Sequence, residues 1–182
     1  TIPVNEVFEP REGCPICRMR DTVEEHICEY IMGAAMMEPD VRLKTNEAGF
    51  CPEHLSLMFE RGKRLPLALM LESHLDSIAK DIDGNMSSLF IGKTADNAAK
   101  RIDKLEHSCY ICDRIEYNFS RMIETAALLW QNDEKFREKA SRAPYFCLNH
   151  YGKYIRAAKE RLTKKEFADF YKETSEVEKK YF

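Results

Sequence analysis

Apolar residues recur at three- and four-residue spacing along most of this chain, the period of a helix buried on one face. Residues 15–37 carry Met19, Val23, Ile27, Tyr30, Ile31 and Ala34 in that pattern, with Pro39 just beyond. Residues 110–131 repeat it with Ile111, Ile115, Phe119, Met122, Ile123, Ala126 and Trp130. Helices are also predicted after residue 54 (Leu55, Leu57, Met58, Phe59) and after residue 150 (Tyr151, Tyr154, Ile155, Ala158). Two longer ones follow, over 65–83 with Leu67, Met70, Leu71, Leu75, Ile78 and Ile82, and over 163–180 with Phe167, Phe170, Tyr171 and Val177. Gly84-Asn85 stops the former. Residues 84–96 read as a linker whose Phe90 and Ile91 pack down, and a helix from about residue 97 to 107 leads onward. No convincing alternating strand appears. The predicted fold class is all-α, with two pseudo-repeated helical halves that pack together through their long apolar faces.

The cysteines give the halves their register. They stand at 14, 17, 28, 51, 109, 112 and 147. Cys14-Pro15-Ile16-Cys17 reappears 95 residues later as Cys109-Tyr110-Ile111-Cys112, and Phe50-Cys51-Pro52-Glu53-His54 reappears 96 residues later as Phe146-Cys147-Leu148-Asn149-His150. The gaps inside each copy match as well, 33 residues between Cys17 and Cys51 and 34 between Cys112 and Cys147. A duplication is the simplest cause. It divides the chain into residues 1–85, a linker and start of a connecting helix at 86–103, and residues 104–182. Cys28 shifts onto Ile123, an apolar helix position, and reads as a small buried hydrophobe. His26, His74 and His107 have no counterpart and read as ordinary surface or core histidines.

Three thiolates and one imidazole form a closed tetrahedral set for zinc. Each C-x2-C and C-x2-H pair opens a predicted helix, where the helix dipole and the first amides favour thiolate. Read copy by copy, Cys14, Cys17, Cys51 and His54 hold one zinc ion, and Cys109, Cys112, Cys147 and His150 the other. That makes two zinc ions per chain, each clamping the start of one helix to the start of another. Structural zinc contributes about 10–16 kcal/mol of apparent binding energy in finger peptides, comparable with the roughly 5–15 kcal/mol stability of a whole domain. A redox dithiol would need a βαβ setting that is not visible here. An iron–sulfur cluster on the same ligands stays open, and disulfides are disfavoured by the histidine in each set. Four protein ligands leave no open position for hydrolysis at the metal.

Other chemistry is sparse. There is no phosphate-binding glycine loop and no Ser/His/Asp signature. Glu24, Glu25 and His26 read as an exposed helix face. No apolar stretch is long enough to span a membrane, and no secretory signal is visible. The formal net charge is −3, unevenly spread: residues 1–85 hold nine Lys and Arg against sixteen Asp and Glu, and 86–182 nineteen against fifteen. Lys135, Arg137, Lys139 and Arg142 precede the last C-x2-H pair, and Lys153, Arg156, Lys159, Arg161, Lys164 and Lys165 follow it. With Tyr151 and Tyr154 interleaved they suggest contact with phosphates, although intervening acidic residues favour a solvated face. Met36, Met37, Met58 and Met70 suggest either core or the lining of a pocket.

The doubled C-P-x-C and G-F-C-x-x-H pattern, at residues 14–17 with 49–54 and at 109–112 with 146–150, resembles a bacterial family known mainly from Gram-positive anaerobes. That family has no assigned activity. The second copy departs from it in Tyr110, where the first has Pro15, and in Tyr145, where the first has Gly49. The resemblance implies a cytoplasmic bacterial protein. The function expected is that of a zinc-stabilised, non-enzymatic module that binds an unidentified protein, with homo-oligomerisation open. Nucleic-acid binding through the basic second half ranks behind it, as does a redox or iron–sulfur role for the C-x2-C pairs.

Overall fold

Ten α-helices and one short 3-10 turn make up the regular structure among the residues that the computed structural model describes, 2–83 and 91–181; no strand occurs among them. The fold class is all-α, as the apolar periodicity predicts. α1 (Ile2–Val7), α2 (Pro15–Ile31), the 3-10 turn (Ala34–Met37), α3 (Pro39–Ala48), α4 (Pro52–Glu60) and α5 (Arg64–Asp83) fill the first part. α6 (Ile91–Glu106), α7 (Tyr110–Asn132), α8 (Glu134–Ser141), α9 (Leu148–Arg161) and α10 (Lys164–Tyr181) fill the second.

α2 ends six residues earlier than predicted. At Gly33 a Cβ would stand 3.1 Å from the carbonyl oxygen of Glu29, and the chain leaves the α-helix there for the tighter turn. Pro39 does not merely follow a helix: it occupies the first turn of α3, where its missing N–H is not needed. The short helices α1, α3 and α8 carry too few apolar positions to show a period. Of the linker predicted over 84–96, residues 84–90, Phe90 among them, lie outside the described residues, while 91–96 are helical and belong to α6.

The helices gather into two compact units. The outer unit is built from both ends of the chain, Thr1–Glu24 and Ile115–Phe182; the inner unit is Glu25–Arg114. This differs from the sequential division expected at 1–85, 86–103 and 104–182, because both boundaries fall within long helices, α2 and α7. At 1.5 Å per residue, the 17 residues of α2 advance the chain about 25 Å and the 23 of α7 about 34 Å. The next helices, α3 with 10 residues and α8 with 8, are too short to retrace that path.

In the outer unit, Ile16, Met19 and Val23 of α2 and Ile115, Phe119, Ile123, Ala126 and Trp130 of α7 are buried at helical spacing. Phe170 of α10 meets the ring of Trp130 edge-on at 5.2 Å and that of Tyr154 at 4.8 Å. The Tyr154 hydroxyl, fully buried, donates to the carbonyl of Ala126. Asp133 caps α8 by accepting from the Phe136 amide, and Thr163 with Glu166 forms a capping box on α10. In the inner unit α5 packs on α3, α4 and α6, with Ile27, Ile31, Val41, Met58, Leu67 and Met70 buried. Met58 and Met70 are therefore core residues. Cys28 is fully buried too, as its alignment with Ile123 implies.

Phe170→Ala is expected to cost about 3–5 kcal/mol, because it empties an aromatic cluster that cannot collapse. Leu148→Ala, at a position 70% exposed, should change stability by no more than about 0.5 kcal/mol. Thermal melts of the two variants beside the parent chain check both values.

Candidate metal centres

All four cysteine-led motifs are built alike. The carbonyl oxygens of Cys14, Cys51, Cys109 and Cys147 each accept the first helical amide hydrogen bond, from Arg18, Leu55, Asp113 and Tyr151. Each of these cysteines therefore occupies the cap position of its helix, and the second donor follows three residues on, within the first turn. Cys51 and Cys147 make no side-chain capping bond, so their sulfurs are free to turn outward. Residues three apart share a helix face, which aims both donors of a pair the same way.

The pairs meet across the two copies. Cys14 and Cys17 stand with Cys147 and His150, and Cys51 and His54 with Cys109 and Cys112; in each group the four donor atoms lie within 4.8 Å of one another. The copy-by-copy grouping expected from the repeat, Cys14 and Cys17 with Cys51 and His54, and Cys109 and Cys112 with Cys147 and His150, is thus corrected. Its physical reason lies in α2 and α7. Each helix carries the chain out of the unit in which its C-x2-C pair sits, so the following C-x2-H pair arrives in the other unit.

Both groups have the dimensions of a tetrahedral site. For zinc bonded at ~2.3 Å to sulfur and ~2.0 Å to nitrogen, the donors stand about 3.5–3.8 Å apart. In the outer cluster the Cys17 sulfur is 3.5 Å from that of Cys147 and 3.2 Å from Nδ1 of His150. In the inner cluster Nδ1 of His54 lies 3.0 Å from Cys51, 3.5 Å from Cys109 and 3.4 Å from Cys112, and the Cys51 and Cys112 sulfurs are 3.9 Å apart. No disulfide joins the described cysteines, and these sulfur separations far exceed a disulfide bond of about 2.05 Å. The residues present fit a metal ion in each cluster.

The electrostatics point the same way. Burial and then the neighbouring sulfurs of Cys147 and Cys14 drive the Cys17 thiol far above its ordinary range. Burial, followed by repulsion from Cys109 and Cys51, pushes Cys112 up to about 12. Burial likewise raises Cys51. His150 is held below the usual imidazole range by burial and by the nearby Lys153 and Arg20, which keeps the ring neutral and fit to donate an electron pair. Three crowded sulfurs ionise together only beside a compensating cation.

The loops that carry the donors are held by residues without metal chemistry. Before the inner cluster Gly49 adopts φ +65°, and a Cβ there would meet the His74 ring at 3.0 Å, so both conformation and space require glycine. His74 in turn sits 2.9 Å from the Asn46 carbonyl and serves as packing. The Gly49 carbonyl accepts from the Tyr110 amide at 3.0 Å, and the Ser108 hydroxyl donates to the Ala48 carbonyl at 2.7 Å. Pro15, the counterpart of Tyr110, has no N–H and cannot make that bond. The outer cluster is secured differently: Glu178 of α10, buried, accepts from the Phe146 amide at 2.7 Å. The C-x2-C spacing carried no signal for Glu178, Ser108 or the Tyr110 amide; Gly49 was visible only as part of the motif.

Five of the ten basic residues singled out in the second half are in ion pairs. Lys153 lies 2.9 Å from Glu116, Arg161 pairs with Glu124, Arg137 with Glu173, Lys139 with Glu9 and Arg142 with Glu138. Arg137 also stacks over Trp130 at 4.2 Å. Glu24 pairs with Arg20, while Glu25 and His26 are exposed on α2, as expected of a solvated face. No helix among the described residues is long and apolar enough to cross a membrane.

Neither a curated protein nor a solved structure matches the chain. One family model does, over residues 1–182, and it describes a family of unknown function.

Paired cysteine substitutions distinguish crossed from copy-by-copy sites. Cys17→Ser with Cys147→Ser should abolish one metal site and leave the other intact, whereas Cys17→Ser with Cys51→Ser should impair both. Elemental analysis of the purified double variants reads the difference, and the reverse result would return the grouping to single copies.

Proposed function

We propose, for a chain that belongs to the family of unknown function DUF6062, that it is a zinc-stapled helical protein which acts by binding another protein and performs no chemistry at its metals. The observation that carries this reading is the composition of the two clusters, three cysteines and one histidine in each. A soft thiolate-rich set of four with tetrahedral spacing suits zinc, and four protein ligands leave no position open for a substrate or an activated water. Such a site holds structure. Here each one joins the starts of two helices far apart in sequence, with 130 residues separating Cys17 from Cys147 and 58 separating His54 from Cys112.

The setting proposed is a reducing bacterial cytoplasm, which keeps the six cysteines of the two clusters available as thiolate donors. The laced ion pairs on α8 and α9 support a solvated surface over a phosphate-binding one, since paired cations have fewer counterions to release on binding a polyanion.

Protein purified without added metal is expected to contain about two zinc ions per chain by elemental analysis, counted beside iron. Complete removal with a chelator should lower helical ellipticity and the melting temperature together, because each metal would join the starts of two helices far apart in sequence. Iron with a visible absorbance band would replace this reading with clusters and electron transfer. Unchanged helix content and melting after full metal removal would reject structural metal altogether.

A further inference from the structure

One helix of the inner unit faces the wrong way for its composition. α5 buries Leu67 and Met70, yet the same side takes Ser73 and His74, which bond to Asn46 of α3, and the half-buried Ser77. Its opposite side is exposed at every position and reads Leu65, Ala68, Glu72, Leu75, Ala79, Ile82. Leu65 is 68% exposed, Leu75 61% and Ile82 47%. The steps along this line alternate three and four, the spacing of a coiled-coil seam, and the half-exposed Leu71 and Ile78 widen it on one flank. A helix normally turns its polar stripe to water and its leucines inward. This one holds a second apolar stripe in reserve.

The order of residues along the stripe identifies what fits it. Rotated about a two-fold axis between residues 73 and 74, the seam meets its own reverse. Leu65 comes opposite Ile82, Ala68 opposite Ala79, and Glu72 opposite Leu75, while Leu71 runs beside Ile78. Large residues face large ones at the ends and small ones face small ones between them, as an isologous contact requires. Charge selects the antiparallel sense. Arg61, Lys63 and Arg64 crowd the start of α5, whereas Glu72, Asp76, Asp81 and Asp83, against Lys80 alone, lie in its later part, Asp81 already paired with Arg101. A parallel pair would stack the basic starts on one another and Glu72 on Glu72; the antiparallel pair brings basic start to acidic end and opposes the helix dipoles. Glu72, the single charged position in the seam, weakens the pair while helping to fix its register. With six seam positions on one helix the contact is small for a specific interface, which buries about 1,200–2,000 Å² in total, and suits a reversible dimer.

We propose that two copies of this chain associate through α5, antiparallel and in the register that sets Leu65 against Ile82. The proposal deepens the reading of the protein as one that acts by binding protein, and it names a second copy as a partner. Sedimentation velocity of the full metal-loaded chain from ~1 to ~100 µM should show its mass rising toward twice 21.3 kDa. Leu75→Glu, which places two charges beside the axis, should weaken association more than ~100-fold with helical content unchanged. Leu148→Glu, at an equally exposed position of α9, should leave it as it was. A benzophenone side chain at position 65, in mixed light and nitrogen-15-labelled protein, should cross-link to the region of residue 82 on the other copy. A parent chain that stays monomeric at the highest concentration, a dimer indifferent to Leu75→Glu, or cross-links from 65 to 65 would each overturn the proposal. Zinc counted in the same fractions separates the two readings, since a monomer with both sites filled refutes the dimer alone.

Discussion

A cysteine with a second cysteine or a histidine three residues on, at the start of a helix, has the makings of half a coordination shell, and the fold brings four such halves together in two pairs. The chain has four such halves, two of C-x2-C and two of C-x2-H. The long helices α2 and α7 decide how they combine, because each leaves the unit of its own C-x2-C pair before the next pair is reached. The result is one site nested inside another along the sequence. Nesting is inexpensive in chain entropy: closing the 130-residue outer loop rather than a 58-residue inner one costs only about 0.7 kcal/mol more, since the penalty grows with the logarithm of length.

The two sites share their ligand chemistry but differ in how the backbone is secured. In the inner cluster the two donor loops bond to each other directly, through the Tyr110 amide and the Gly49 carbonyl. In the outer cluster Pro15 removes that donor, and a buried carboxylate from α10, Glu178, holds the Phe146 amide instead. The second carboxylate oxygen of Glu178 has no hydrogen-bond partner among the described residues. A departure between the copies that seems incidental as a letter, tyrosine for proline, therefore changes which atoms hold each donor loop.

Much of this was legible in the sequence, and what was not has a common cause. Periodicity located α2, α7, α9 and α10 because each buries one face along several turns, and motif spacing singled out the eight residues that gather into the two clusters because a two-residue gap is a local property. The grouping of those donors was not legible, since a repeat shows which segments are equivalent and is silent about which of them meet. α1, α3 and α8 escaped notice because a helix of two turns needs only one or two buried residues, Val41 and Thr45 in α3 and Phe136 and Ala140 in α8. The face of α5 was misjudged for a different reason. Leu75 and Ile82 were counted toward its core side, but that helix is apolar nearly all round, and composition alone does not say which stripe the rest of the unit covers.

The nested order of the donors has a consequence for how the protein is made. As the chain leaves the ribosome, Cys51, His54, Cys109 and Cys112 have all emerged well before Cys147, so the inner set is complete while the outer one still has only two sulfurs. Cys14 and Cys17, the first donors to appear, are the last to be satisfied. For the time taken to translate some 130 further residues they are an open dithiol on the nascent chain, able to be oxidised or to borrow a metal from elsewhere. A reducing compartment would thus guard those two sulfurs until Cys147 and His150 arrive.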